Sequence, residues 1–218
     1  MQQTVSGTLE VDHRPVDGAE VVLLAPGGRA VEATHSDATG HFVFAAQSVP
    51  PGAAVLGKLH APLVGAAYAR VGPAGGPVAL AAAASGAAAL SVSIELPGGA
   101  APVDWFDVEV TPRALSGVPL EAVNALTLDG TGPARRGNYH TVRVTEPRAS
   151  LRLLPGSWDL KVSHIIERGK PVRSAPPNWI GGRLTLPGGT QVDAELGSMR
   201  VEVTRDVEVR VAMRPFAE

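Results

Sequence analysis

The sequence predicts an all-β protein built from two tandem antiparallel β-sandwiches. Its length of 218 residues suits two domains of about 100 residues each. Its 25 glycines and 19 prolines fall between valine-rich runs rather than in one block, as turn residues do in β proteins. The runs follow one another at roughly 8–12 residues, a spacing typical of sandwich strands. We therefore expect helices to make up less than about a tenth of the chain.

The composition limits both the cores and the chemistry of the protein. Hydrophobic residues make up 44% of the chain but aromatic residues only 4%, which predicts cores filled with Val, Leu and Ala. The formal net charge of −2 gives no general attraction for a nucleic acid, so we expect no nucleic-acid binding. The absence of cysteine excludes disulfides, thiolate catalysis, cysteine zinc sites and iron–sulfur clusters.

Nothing in the sequence predicts membrane insertion. The opening stretch "MQQTVSGTLE" has neither a basic region nor an apolar run, so as written the chain is cytoplasmic, and it is extracellular if a signal was removed before it. The longest apolar run, residues 77–96, consists mainly of alanine and contains Ser85 and Gly86. Alanine is too weakly apolar for such a run to span a bilayer.

The first half reads as strands separated by turns. "TVSGTLEVD" and "RPVDGAEVVLL" are two strands around a turn at residues 12–13. Residues 31–44 predict a hairpin with its turn at 36–40, in which Phe42 and Phe44 share one face. "AAVLGKLHAP", "GAAYARVG" and "PVALAAAAS" follow as further strands.

The second half repeats this pattern, and we place the domain boundary at residue 85. A first β-sandwich then covers residues 1–85 and a second covers residues 86–218. Residues 79–90 are rich in alanine, which favours a helix, but Gly86 interrupts the run and turns flank it, so we favour strands. "AVNALTLDGTG" is interpreted as one of the second-half strands, and no amphipathic helix is predicted.

Four short motifs of the first half occur together. They are Gly7 in the opening strand, "PVDGAEV" at 15–21, "DATGHFVF" at 37–44 and "PPG" at 50–52. On these motifs, residues 3–85 resemble a carboxypeptidase regulatory-like domain. The resemblance implies a transthyretin-like sandwich but no particular activity, because such modules are attached to proteins of many functions. In the second half, Trp158 after a proline-glycine turn suggests a diverged second module of similar type.

The stretch "HSDATGHFVF", residues 35–44, is either a metal-binding corner or a turn. A metal site would use His35, Asp37 and His41, but it needs further ligands and none is suggested nearby. A turn needs a capping acid first and a residue with positive φ last, and Asp37 and Gly40 fill these positions. We therefore predict a turn, with no metal and no cofactor.

An iron enzyme is the alternative to a non-catalytic protein. Intradiol dioxygenases have a sandwich containing a turn like "PVDGAEV", and they bind ferric iron through two tyrosines and two histidines. Tyr68 and Tyr139 are the only two tyrosines here, and they lie in different halves. Tyr139 and His140 are adjacent strand residues and point to opposite faces. A sandwich-fold enzyme with a cryptic metal site of this type therefore remains the second hypothesis.

Two further enzyme-like chemistries find no support in the residues. No "G-x-S-x-G" elbow is present for a serine hydrolase. An intramolecular isopeptide bond needs a buried lysine facing an Asn or Asp, with an acid to move protons. The first domain offers only Lys58, and Lys161 alternates with apolar neighbours, which places it on the solvent face.

The best candidate for a binding surface is the polar loop "DGTGPARRGNYH", residues 129–140. Its Arg135, Arg136 and Tyr139 are of the residue types that anchor interfaces, because they bury much area and keep a polar head group. Trp179, which follows a double proline, either plugs a sandwich end or forms an exposed ligand platform. Trp105 and Phe106 point oppositely, so one of the two rings is expected outside.

The sequence therefore predicts a non-catalytic binding or assembly module. We expect a protein partner or self-association through residues 129–140, and carbohydrate is the second partner class, with Trp179 or Trp105 as a stacking platform. The prediction depends on the missing nucleophile and ligand clusters and on a basic-aromatic loop carried by a rigid β scaffold.

Overall fold

The computed structural model describes residues 4–45, 49–73, 75–98, 103–126, 139–164, 179–195 and 197–215. It is 62% strand and 6% helix. The prediction of an all-β protein is therefore confirmed. No helix among the described residues is long and apolar enough to cross a membrane.

The first sandwich consists of eight strands in two four-stranded sheets. The strands are β1 (Val5–Val11), β2 (Arg14–Pro15), β3 (Glu20–Leu24), β4 (Ala30–His35), β5 (His41–Phe44), β6 (Ala54–Leu59), β7 (Gly65–Arg70) and β8 (Gly76–Ala82). One sheet has the order β2-β1-β5, with β8 paired to β1, and the other has the order β4-β3-β6-β7. Their facing side chains, including Leu9, Leu23, Phe42 and Val55, form one apolar core.

The second sandwich is one nine-stranded sheet that folds over on itself. Its strands are β9 (Ala88–Glu95), β10 (Phe106–Leu115), β11 (His140–Val144), β12 (Arg148–Leu153), β13 (Gly156–His164), β14 (Trp179–Thr185), β15 (Gln191–Asp193), β16 (Ser198–Val203) and β17 (Val207–Pro215). One layer is β11-β10-β13-β16 and the other is β15-β14-β17-β9-β12. The layers join where Ser163 and His164 pair with Ile180 and Trp179.

Strict alternation explains why this second sheet closes around a core. In β9, Leu90, Val92 and Ile94 are buried while the serines between them are half exposed, and β12 and β17 follow the same two-residue period. Trp158 of β13 is fully buried, and its indole N–H donates to the Leu154 carbonyl at 3.1 Å. The large indole packs in a core that also contains Phe106 and Trp179.

Two of the described strand pairs are parallel, and the other pairs are antiparallel, as expected for these sandwiches. β1 runs parallel to β8, and β17 runs parallel to β9. In each pair, long stretches of chain separate the two strands, which removes the constraint that a short hairpin loop imposes on strand direction.

The predicted hairpin at residues 31–44 is wrong, although its turn chemistry is right. β4 pairs with β3 in one sheet and β5 pairs with β1 in the other, so the chain changes layers between them. Ser36 fixes this crossing: its buried hydroxyl donates to the Val16 carbonyl at 2.6 Å and accepts from the Ala19 N–H at 3.1 Å.

The turn that follows uses the residues predicted for it. Asp37 Oδ1 accepts hydrogen bonds from the Thr39 N–H at 2.8 Å, the Thr39 hydroxyl at 2.7 Å and the His41 N–H at 3.0 Å. These bonds lower the pKa of Asp37 below its ordinary 3.8, with the Thr39 side chain the largest cause. Gly40 has φ +74°, as the prediction of positive φ requires. Within the described residues, no three His, Cys, Asp or Glu side chains are placed to hold a metal.

We expect both turn residues to stabilise the fold. Gly40→Val should lower the free energy of unfolding by about 1–3 kcal/mol, since a β-branched residue would be forced to positive φ. Its Cβ would also lie 2.6 Å from the Leu9 carbonyl oxygen. Gly18→Val is the matched control, because Gly18 has φ +67° but no atom within 4 Å of the added Cβ. Urea unfolding of both variants measures the contribution of the contact, and equal losses would contradict it.

Asp37→Ala should lower the unfolding midpoint at neutral pH. A carboxyl whose pKa is lower in the folded chain stabilises it above the ordinary pKa, and this contribution is lost as the pH falls through the folded value. Wild type and variant should therefore converge below about pH 4. A constant difference between the two from neutral to acid pH would contradict a role for the ionised carboxylate.

The share of helix stays below the predicted tenth. The stretch "AVNALTLDGTG", however, is interpreted from the sequence as a strand, with no amphipathic helix predicted, whereas α1 spans Leu120–Leu126. Pro119 stands immediately before it and its carbonyl accepts from the N–H groups of Ala122 and Val123 at 3.0 Å. The segment contains good helix formers, and Glu121 lies in the first turn where an acid is favoured. One face of α1 is buried and consists of Ala122, Val123, Ala125 and Leu126.

The alanine-rich stretch at 79–90 follows the strand prediction. β8 ends at Ala82, a one-turn 3-10 helix spans Ala84–Gly86, and β9 begins at Ala88. β8 belongs to the first sandwich and β9 to the second. β8 and β9 form strands despite the helix propensity of alanine, because each pairs with a neighbouring strand along its length and buries alternate side chains.

Candidate functional site

The two sandwiches meet on the outer face of the β4-β3-β6-β7 sheet. Val22, Leu24 and Leu56 on this face belong to the apolar core of the second sandwich. The alternate residues of β3 and β6, such as Leu23 and Val55, belong to the core of the first. Strands β3 and β6 are therefore buried on both faces and form a middle layer shared by two cores, whereas β4 at the sheet edge is largely exposed. We call this contact the domain junction.

Helix α1 fills part of the domain junction. The turn at residues 25–28 lies against it so closely that a Cβ on Gly28 would be 2.2 Å from the Glu121 carbonyl oxygen. An open crevice of about 210 Å³ lies beside this contact and includes Tyr68, Arg70 and Glu121 in its wall. Only a glycine permits the backbones to approach this closely.

The loop between β6 and β7 reaches into the second sandwich. The Val64 N–H donates to the Arg152 carbonyl, and the Leu154 N–H donates to the Val64 carbonyl, both at 2.9 Å. These bonds form an isolated parallel bridge between Val64 and Leu153. Two backbone hydrogen bonds thus connect the domains in addition to the apolar contact.

Tyr139 links the same loop to the second sandwich from the other side. Its hydroxyl accepts a hydrogen bond from the Leu59 N–H at 3.1 Å and lies against the carbonyl oxygens of Leu59 and Gly65, to which it can donate. Leu59 ends β6, Gly65 begins β7, and the two residues are paired next to the loop that connects the strands. The hydroxyl therefore bonds to the loop end of this hairpin. Burial raises the pKa of Tyr139, which keeps the phenol neutral.

A histidine pair lies beside Tyr139. The ring of His60 stacks on Tyr139 with 5.2 Å between centroids and on His140 with 5.7 Å. Burial is the largest cause that lowers the pKa of both histidines. The charge of Lys58 lowers the pKa of His60 further, and the charge of His60 lowers that of His140. Lys58 itself pairs with Glu20 at 2.8 Å. This junction therefore favours two neutral imidazoles.

Acid should weaken the domain junction. The folded chain holds the histidine pKa values below the ordinary 6.5, so below that pH the unfolded chain takes up protons that the folded chain does not. The free energy of unfolding should therefore fall as the pH falls below about 6.5. Urea unfolding at about pH 7.5 and about pH 5.5 should show a smaller loss for His60→Gln/His140→Gln than for wild type. Equal losses would mean that other groups cause the effect.

Two of the four predicted binding residues, Tyr139 and Trp179, are described, and both are buried. Tyr139 is 7% exposed and Trp179 is 5% exposed, so neither ring is available to a partner in this fold. The expectation that Tyr139 is presented on a loop is wrong, because its hydroxyl satisfies backbone groups of a distant hairpin. Trp179 plugs the second core, and its platform interpretation is wrong. Arg135 and Arg136 lie outside the described residues.

Trp105 is the half-exposed aromatic of its pair, as predicted, while Phe106 is buried. The guanidinium of Arg143 lies 5.0 Å from the centre of the Trp105 ring, and the ring of His164 meets it edge-on at 4.8 Å. His164 is 1% exposed and its Nδ1 is 2.9 Å from the Trp105 carbonyl oxygen. The ring of Trp105 is thus contacted by two side chains of its own chain, Arg143 and His164.

The contacts of the described residues support neither the iron-enzyme hypothesis nor an isopeptide bond. Tyr139 has a raised pKa and its hydroxyl is occupied by backbone groups, which makes it a poor ferric ligand. Lys58 pairs with Glu20, and Lys161 is 3.5 Å from Glu109. Both lysines thus face glutamates, not the Asn or Asp that an isopeptide bond needs.

Sequence reasoning missed the domain junction, although a signal for it was present. The runs "EVVLL" and "AVLGKL" of β3 and β6 are almost continuously apolar, and the structure buries them on both faces. Such runs are typical of strands covered on both sides, whereas a strand at a solvated face alternates.

Comparisons with known proteins find similarity of structure but not of sequence. No protein-family model matches the sequence, and no curated protein matches it significantly. Among solved structures, two B repeat units of the collagen binding protein of Staphylococcus aureus are 11% identical with a TM-score of 0.28; the match covers 100% of this chain and 50% of that one. The major pilin of Streptococcus pyogenes is 9% identical with a TM-score of 0.33, and 98% of each chain is covered.

The shaft pilin SpaA of Lactobacillus rhamnosus GG is 8% identical with a TM-score of 0.31, and the match covers 100% of both chains. The chain thus spans half the length of the B repeat pair and the full length of the matched pilin chain. These identities and TM-scores are too low to transfer any property of those proteins to this chain.

Proposed function

We propose that the protein is a non-catalytic assembly or binding module whose two sandwiches act as one rigid body. The observation that carries the proposal is the domain junction. A sheet shared by two cores, a backbone bridge at Val64 and the hydroxyl of Tyr139 all hold the sandwiches in a single arrangement. A scaffold that is fixed before binding loses less freedom on association, which favours a role in presenting surface to a partner.

We propose that the partner is a protein or a second copy of the chain, and that Arg135 and Arg136 contact it. The segment that carries them starts after α1 and ends at Tyr139, so the domain junction anchors both of its ends. Loops on a rigid scaffold often carry binding residues, and arginine is common among those that dominate interface energies. The motifs at residues 7–52 support the further proposal that the first sandwich is related to carboxypeptidase regulatory-like domains.

Capture of partners from the source cells tests the role of the arginines. Arg135→Ala/Arg136→Ala should retain at least tenfold less partner than wild type, corresponding to about 1.4 kcal/mol. Arg14→Ala/Arg205→Ala removes the same charge from exposed positions elsewhere and should behave as wild type. Sedimentation of the purified chain shows whether the partner is a second copy. Equal capture by all three proteins would exclude the arginines, and reproducible turnover of a substrate would exclude a non-catalytic role.

A further inference from the structure

One outer face of the second sandwich carries arginines that have no acidic partner among the described residues. The row runs across four strands: Arg148 of β12 is paired in register with Ser93 of β9, Ser93 with Arg210 of β17, and Arg210 with Thr185 of β14. Both arginines are exposed, and the serine and threonine are half exposed. All four point away from the core because their strand neighbours, such as Val92 and Val209, are buried.

The two guanidinium groups are anchored about 10 Å apart. They stand on strands that are separated by one intervening strand, and neighbouring strands are about 4.8 Å apart. Among the described residues, no carboxylate lies within 4 Å of either group. Two arginines with fixed backbone anchors, neither paired with an acid in the described part of the chain, are a suitable arrangement for a repeating anion.

The opposite face of the same sandwich shows that this arrangement is not general. There, Arg143 pairs with Asp107, Lys161 with Glu109, and Arg113 with Asp159. Each of these basic side chains has an acid on a neighbouring strand. The charges of that face are largely neutralised within the chain, whereas Arg148 and Arg210 are left for a ligand.

The next row on the arginine face offers two hydroxyl groups and one carboxylate. Ser150, Ser91 and Glu208 are paired in register, two residues along from the first row. They line a shallow depression of about 440 Å³, together with Ser93 and Arg148. Hydroxyls can donate and accept, and a carboxylate accepts strongly, so this row is suited to the hydroxyl groups of sugars.

We propose that this face binds an acidic polysaccharide in which carboxylate groups are separated by neutral, hydroxyl-bearing parts of the sugar chain. The arginines would pair with successive carboxylates, and the serines and Glu208 would bond the hydroxyls between them. A nucleic acid fits less well, because the described outward positions of these strands carry no aromatic ring on which a base could stack. This inference does not depend on the proposed protein partner, since it concerns different residues.

Titration calorimetry with polygalacturonate tests the inference at low salt. Wild type should bind, and the affinity should fall as salt is added, because paired charges are screened. Arg148→Gln/Arg210→Gln should bind at least tenfold more weakly. Arg14→Gln/Arg29→Gln, which removes two exposed arginines from the first sandwich, should bind like wild type. Neutral dextran should not bind, and melting curves should show that all variants are folded.

Three results would overturn the inference. The first is no binding of polygalacturonate by wild type, and the second is equal binding by the two double variants. The third is binding of single-stranded DNA or polyglutamate as tightly as polygalacturonate, because the face would then recognise charge alone. Partner capture by Arg148→Gln/Arg210→Gln should stay at the wild-type level, so this test and the test of Arg135 and Arg136 can fail separately.

Discussion

Replacing Tyr139 by alanine should lower the free energy of unfolding by about 3–5 kcal/mol, because the change removes a buried aromatic ring at the domain junction. Replacing it by phenylalanine should lower it by about 1–3 kcal/mol. Phenylalanine keeps the ring but leaves the Leu59 N–H and the Gly65 carbonyl without their side-chain partner in a buried place. Urea unfolding followed by circular dichroism measures both losses.

Tyr68→Phe is the matched control for the hydroxyl. Tyr68 is the only other tyrosine, it is half exposed, and no hydrogen bond of its hydroxyl to another described residue is present. Its loss should stay within about 0.5 kcal/mol. Equal stabilities of Tyr139→Phe and wild type would contradict the role of the hydroxyl at the junction.

Gly28→Ala should lower the free energy of unfolding by about 2–5 kcal/mol, as the sum of two effects. The first is strain, since Gly28 has φ +81°. The second is a collision, because the added Cβ would meet the Glu121 carbonyl oxygen at 2.2 Å. A backbone atom cannot rotate away, so the turn and α1 must separate.

Gly27→Ala isolates the second effect. Gly27 has the same φ of +81°, but nothing lies within 4 Å of its added Cβ. It should therefore show only the strain, about 1–3 kcal/mol. The difference between the two variants measures the contact between the first sandwich and α1, and the absence of a difference would mean that this contact does not stabilise the protein.

Features that depend on a few neighbouring residues could be predicted from the sequence. The turn at Asp37 and Gly40 is of this kind, since its acid bonds N–H groups two and four residues ahead. The strand at 79–82 and the alternation in β9 are also local. The partner of β5 is not local: it pairs with β1, more than thirty residues earlier, so a sequential hairpin was the wrong choice.

The environment of Tyr139 could not be predicted for the same reason. A basic and aromatic stretch suits an exposed interface as well as a contact within the chain, and the choice depends on Leu59 and Gly65, which are 80 and 74 residues away. Helix α1 was missed because its seven residues are too few to show a helical period clearly. The burial of β3 on both faces, in contrast, is indicated by its continuous apolar run "EVVLL".

A distance measurement between the sandwiches tests the central claim, which is that they form one rigid body. Because the chain has no cysteine, two introduced cysteines can be spin-labelled without further changes. Val43 of β5 and Glu202 of β16 are both exposed and lie in different sandwiches. Double electron–electron resonance on Val43→Cys/Glu202→Cys should give one narrow distance distribution at neutral pH, which broadens when Tyr139→Ala is added. A broad or multiple distribution with Tyr139 intact would contradict the account.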